Sequence, residues 1–262
     1  MKTRKISAIL IAITFLFVAI ASCVMLFSVK EVRVNYAVAE DADTFSVQKK
    51  FDAFIGESLV FFDVKKVYVV VDDPVYEVVS VYKQFPNVLN VKIQQRREVY
   101  KFLNGGKVYT LDSKGVVFLS EEYVGGEIST RENIELEFVN VNVSSLVLGE
   151  GLVTSDDLLF NTVLEMAEKV DLTDRIKKIR IVNVFADGSD SVIAMRNAEF
   201  YTYTGVSIVI ENAFEYGVER ISAAVSAYDN AHDYVKTFDT IKAVRNKESG
   251  EVNVIFTSGY DN

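Results

Sequence analysis

Hydrophobic positions along this chain change their period several times, and each change marks an element. From Ile6 to Val29 there are 24 residues without a charge, and as a helix rising ~1.5 Å per residue they span about 36 Å, enough to cross the hydrocarbon of a bilayer. Lys2, Arg4 and Lys5 precede the run, and the positive-inside bias keeps so short a basic tail in the cytoplasm while the C-terminal bulk crosses. The pattern predicts a cytoplasmic tail over 1–5, a transmembrane helix over 6–29 in contact with the lipid bilayer, and a globular remainder outside the cytoplasmic membrane. A second reading fits the same start: Ile20-Ala21-Ser22-Cys23 is similar to the lipobox of bacterial lipoproteins, which would make the chain a lipid-anchored protein with a ligand-binding or envelope-modifying role. The apolar run continues past the cysteine through Val24-Met25-Leu26-Phe27, which favours the retained helix.

Beyond the anchor, Glu31 to Val38 alternates polar residues with Val32, Val34, Tyr36 and Val38, the period-2 pattern of a half-buried strand. A helix begins near Ser46, with Val47, Phe51, Phe54 and Ile55 on one face, and stops at Gly56. A second helix over Asp63 to Val71 would bury Val64, Val67, Tyr68 and Val71, with Asp63 capping its first turn. Two strands, Val75 to Gln84 and Val88 to Gln95, flank the turn Phe85-Pro86-Asn87. The order β-α-α-β-β predicts a small domain over 30–97, two helices on a three-stranded sheet, with Phe51, Phe54, Val91 and Ile93 in its core.

A meander follows: short strands near Val99 to Leu103, Lys107 to Asp112 and Val116 to Leu119, separated by the turns Asn104-Gly105-Gly106 and Asp112-Ser113-Lys114-Gly115. Ile134 to Val143 is a further strand, and Ser155-Asp156-Asp157 opens a helix with Leu158, Leu159, Thr162, Val163, Met166 and Val170 at helical spacing. Strands are expected at Ile176 to Phe185, Ser191 to Met195, Glu199 to Thr204 and Val206 to Ile210, then a helix from Ala213 to Asn230 and a closing pair, Thr237 to Arg245 and Glu251 to Thr257. These elements make a second domain over 98–257, a mixed α/β unit of strand meanders with two helices, and a tail over 258–262. The fold class is α+β.

Composition narrows the chemistry. The formal net charge is -9, and because the first 30 residues hold Lys2, Arg4, Lys5 and Lys30 without an acid, the globular part is more acidic still. Binding to phosphate backbones depends on Lys and Arg displacing counterions, so nucleic acid is not an expected partner. The one cysteine lies inside the apolar run and the one histidine, His232, in a polar segment, which leaves no Cys-based or His-rich metal site and a single candidate base for nucleophilic catalysis. Ser46-Val47-Gln48-Lys49 and Ser80-Val81-Tyr82-Lys83 match a loose S-x-x-K pattern without its companion motifs. Asp187-Gly188-Ser189-Asp190 has calcium-like oxygen spacing but reads as a turn. The acids of Glu40-Asp41-Asp43 and Glu121-Glu122 read as solvated loops. No enzyme and no cofactor are expected.

Two segments carry a resemblance. Phe85-Pro86-Asn87-Val88-Leu89-Asn90-Val91-Lys92-Ile93-Gln94-Gln95-Arg96 is similar to the segment that closes the POTRA domain of the FtsQ/DivIB cell-division proteins, and Tyr109-Thr110-Leu111-Asp112-Ser113-Lys114-Gly115-Val116-Val117-Phe118 resembles the hairpin that opens their β domain. The family's glutamate before the arginine is Gln95 here, its following proline is Glu98, and its glycine after the first strand is missing near Asn35-Tyr36. The resemblance implies a divisome scaffold in septum formation: a POTRA plus β-domain protein that binds FtsL- and FtsB/DivIC-like partners without catalysis. It also implies docking on the last strand, at Val252, Val254 and Phe256 with Tyr260 just beyond. That strand carries little charge to block edge pairing, which points to the same place.

Overall fold

A computed structural model describes residues 13–22, 25–37, 44–170, 172, 174–189, 191–231 and 239–258, of which 44–46 are described by backbone alone. Cys23, Asp190, His232 and Tyr260 lie outside these residues. Two compact units divide between Arg96 and Arg97.

The N-terminal part corrects the expected transmembrane helix over 6–29. Helix α1 is described over residues 13–22, residues 25 and 26 are helical as well, and among the described residues no helix is long and apolar enough to cross a membrane. Backbone pairing is what stops a helix from reaching Val29. The Phe27 carbonyl accepts from the Leu59 amide at 2.6 Å, the Val29 amide donates to Glu57 O at 2.8 Å, and Val29 O accepts from Gly56 N at 2.8 Å. Val29 is a core residue, 1% exposed. The last turn of the apolar run is therefore extended chain built into the first unit.

That unit runs β1 (Glu31–Ala37), α2 (Thr44–Phe51), a 3-10 turn (Asp52–Phe54), α3 (Lys65–Val70), β2 (Tyr76–Gln84) and β3 (Val88–Gln95). The sheet order is β1-β3-β2, with β3 antiparallel to β2 and parallel to β1. A parallel pair needs a long crossover, supplied here by α2, α3 and β2. Leu89, Val91 and Ile93 on the central strand pack with Val47, Phe51, Phe54, Phe62 and Val67, so the four residues expected in the core are buried there. The Phe54 ring meets Phe62 edge-on at 5.2 Å. Gly56 takes a positive φ of 94° at the turn that ends the helical segment. Asp63 accepts from the Lys65 amide at 3.0 Å, but Tyr68, expected in the stripe of α3, is exposed and only Val67 is fully buried.

The second unit is a nine-stranded sheet in the order β14-β13-β12-β11-β10-β7-β4-β5-β6. Its strands are β4 (Tyr100–Asn104), β5 (Lys107–Leu111), β6 (Val117–Glu122), β7 (Ile134–Val139), β10 (Ile176–Phe185), β11 (Ile193–Thr202), β12 (Ser207–Ile210), β13 (Thr240–Arg245) and β14 (Val252–Thr257). A separate ribbon joins β8 (Val143–Ser145) to β9 (Val153–Thr154). Two halves meet where β7 runs parallel to β10. Helix α4 (Asp157–Val170) contributes Leu159, Phe160, Val163, Leu164, Met166 and Ala167 to the core, a face turned by one position from the expected stripe, leaving Leu158 exposed. Helix α5 (Gly217–Asn230) contributes Ile221, Ala224 and Val225. It starts four residues later than expected because Asn212 and Tyr216 have positive φ, 47° and 58°, a conformation that no right-handed helix admits. Where two strands were expected over 191–204, β11 is one strand. Its middle stays extended because Asn197 and Ala198 pair with Val182 and Ile181 of β10.

Candidate functional site

Both edges of the large sheet expose a row of backbone groups, and the chain treats them differently. Strand β6 is covered at its start, where Val117 N donates to Glu150 O at 2.9 Å and Gly149 N to Val117 O at 2.7 Å, and ends in the exposed acids Glu121 and Glu122. Charge and cover are the usual ways to prevent edge pairing. Strand β14 has neither: Val252-Asn253-Val254-Ile255-Phe256-Thr257 is uncharged, and among the described residues no strand lies beyond it.

The register decides which groups face outward. β13 and β14 pair antiparallel, with Arg245 opposite Val252, Val244 opposite Asn253, Ala243 opposite Val254 and Lys242 opposite Ile255. One step further, Asn246 N donates to Glu251 O at 2.8 Å, so that pair is hydrogen-bonded. Antiparallel pairs alternate. Asn253 and Ile255 therefore turn their N–H and C=O toward β13, and Val252 and Val254 turn theirs outward.

Side chains follow the other alternation. Val252, Val254 and Phe256 are half-buried and pack on the core beneath α5, while Asn253 is exposed and Ile255 is 47% exposed on the opposite face. Of the residues singled out from the sequence, these three thus share one strand and one face, and Tyr260 lies outside the described residues. Asn253 and Ile255 were not among them, although theirs are the strand's exposed side chains. The strand's period, combined with the polar turn Asn246-Lys247-Glu248-Ser249-Gly250 that sets the register, was the signal that could have found them.

A cleft of ≈ 660 Å³ opens where the β13–β14 hairpin meets the start of α5, lined by Met195, Tyr216, Arg220, Arg245 and Lys247 among others. The Arg245 guanidinium lies 3.4 Å from the centroid of the Tyr216 ring, and its Nε donates to Gly250 O at 3.0 Å. Arg220 is only 6% exposed. Its Nε donates to Ala243 O at 2.7 Å and its Nη1 to Glu211 O at 2.7 Å and Glu215 O at 3.3 Å. Burial pulls its pKa down, partly offset by Glu211 and Glu215. The guanidinium ties strand β13 to the Asn212–Tyr216 turn and so holds the hairpin that carries the edge.

The helix-free face of the sheet carries charge across β7, β10 and β11. Lys178 bridges Glu135 at 3.2 Å and also Glu137, and Arg180 bridges Glu199 at 2.9 Å, shared with the Tyr201 hydroxyl. Burial alone would raise the Glu137 carboxyl, but Lys178 and Arg180 outweigh it and hold the group below the usual carboxylate range. A lowered folded pKa stabilises the fold above the unfolded value and loses that contribution as pH falls through the folded one. Thermal stability should drop on acidification through the carboxylate range, and more steeply in the parent than in Glu137→Gln. Equal slopes by calorimetry would refute the assignment.

The two S-x-x-K matches fall on a strand and a helix of the first unit. Ser80 and Lys83 sit in β2, where residues three apart point to opposite faces, and Lys83 Nζ donates to Val60 O at 3.4 Å. Ser46 to Lys49 lies in α2, with the Ser46 side chain outside the described residues. Among the described residues no three His, Cys, Asp or Glu side chains are grouped to hold a metal ion. No protein-family model matches the chain, and no curated protein does.

Proposed function

We propose that this chain is a non-enzymatic assembly factor of bacterial cell division, of the FtsQ/DivIB type, working at the outer face of the cytoplasmic membrane at the septum. It holds FtsL- and FtsB/DivIC-like partners by adding a partner strand to β14. The observation that carries this reading is the uncharged edge strand β14 of the nine-stranded sheet, which no other described strand covers, with the outward backbone groups of Val252 and Val254. A partner strand satisfies those groups, and its side chains read Ile255 and Asn253 on the open face. The resemblance of residues 85–96 and 109–118 supports the choice of partners.

The register also dictates the test. A proline at Asn253 or Ile255 would break the pairing with β13, whereas Val254→Pro removes an outward donor and leaves that pairing intact, as prolines on edge strands do. Val254→Pro should keep the near-UV circular dichroism of the parent and weaken binding of a DivIC-like partner by about tenfold or more, the equivalent of one well-made hydrogen bond lost without compensation. Undiminished affinity in calorimetry, with the fold intact, would remove β14 as the docking edge. In cells, depletion should block septation and a fluorescent copy should gather at midcell. Normal division under depletion would sink the role itself.

A further inference from the structure

The first unit carries a patch of exposed apolar side chains at one end, and the backbone fixes how they are grouped. Residues 27–29 pair with 56–59, and Lys30 N donates to Asn87 O at 2.8 Å, which brings the 55–61 loop and the β2–β3 turn to the end of the apolar run. Phe27 and Phe85 meet edge-on at 5.8 Å. Around them Phe61 is 80% exposed, Phe85 56% and Val60 46%, and Met25 and Leu26, directly upstream, are exposed as well. Phe62, one residue from Phe61, is buried, so the outward aim of Phe61 is a property of the fold. Exposed apolar groups gathered this way mark an interaction surface.

What covers the patch follows from what leads into it. No charge occurs from Ile6 to Val29, and the described part of that run exposes Phe15, Leu16, Phe17, Val18 and Ile20. The helical residues 13–22 of that run carry no charge, so a lipid environment suits them. With only Phe27 and Ser28 between Leu26 and buried Val29, the chain has no linker. Whatever surface takes up Met25 and Leu26 also meets Phe61 and Phe85. Lys30 and Lys83 border the patch, and the adjoining acids Glu31 and Glu57 are neutralised by Arg33 at 2.7 Å and Lys66 at 3.1 Å. That balance suits anionic headgroups.

We propose that this end of the first unit rests on a lipid bilayer, with Met25, Leu26, Phe27, Val60, Phe61 and Phe85 seated among the headgroups and upper acyl chains. The contact follows from the apolar run and the pairing of residues 27–30 alone and is independent of the division role. It orients the unit, because strand β3 runs from Val88, beside the patch, to Gln95, about 23 Å away at ~3.3 Å per residue.

The full-length protein with Cys23→Ser, carrying Phe61→Cys, Phe85→Cys or Gln95→Cys one at a time, is labelled with an environment-sensitive fluorophore and mixed with vesicles of phosphatidylethanolamine and phosphatidylglycerol. Labels at positions 61 and 85 should shift to the blue and lose most of their emission to brominated acyl chains, and the label at position 95 should keep its aqueous emission. Protein that fails to float with the vesicles, or floats with position 61 unquenched, overturns the proposal. A protein partner as the occupant gives that same overturning result, since the vesicles hold none.

Discussion

Replacing Arg220 with methionine should cost the second unit about 3–4 kcal/mol and lower its melting temperature by about 10 °C. Methionine keeps the length of the stem and removes every donor. The carbonyls of Ala243, Glu211 and Glu215 then lose the guanidinium that bonds them, and each buried acceptor left without a partner costs its full desolvation. Lysine should not rescue, because a single ammonium cannot span acceptors on a strand and a turn as the planar fork does. Since the clasp holds the hairpin, hydrogen exchange at β13 and β14 should rise more than elsewhere. A melting point within about a degree of the parent would show that the carbonyls find other donors.

Phe54→Ala is the corresponding test of the first unit, with an expected cost of about 3–4 kcal/mol. The ring is 5% exposed and contacts Phe62 at 5.2 Å and Phe51 at 6.3 Å, so truncation loses both transfer energy and two aromatic contacts. The cavity sits under β3, and amides of Val91 and Ile93 should lose exchange protection first. Unchanged protection at both positions would show that the ring contributes nothing to the sheet's stability.

Local pattern made the elements of the first unit readable. Val47, Phe51 and Phe54 repeat at helical spacing, and Val91 and Ile93 alternate as a strand must. The parallel pairing of β1 with β3 was not readable, because strand order is set by the crossover of α2 and α3 and leaves no mark on the spacing within either strand. The same distinction governs the terminal edge. The period of Val252, Val254 and Phe256 was visible, but it could not say which alternate set lies beneath α5, where these three pack on the core. Arg220 left no trace at all: a lone arginine in an amphipathic helix is ordinarily a solvated one. The apolar run misled for a related reason. Hydropathy measures the preference of residues 6–29 for an apolar environment, and Val29 finds one inside a protein core.

The order of strands in the large sheet has a consequence for how the protein comes into being. Reading across the sheet, β4 to β7 come from one contiguous stretch of chain and β10 to β14 from another, and the second half adds strands outward in succession from β10. A chain that emerges N-terminus first can therefore complete the β4–β7 half early, and each later strand has its neighbour waiting when it arrives. Within this sheet β14 is laid down after β13, the strand it pairs with among the described residues. The β14 edge does not exist until β13 is in place ahead of it, so a chain stalled or cleaved before Val252 lacks the strand on which the proposed partner contact rests.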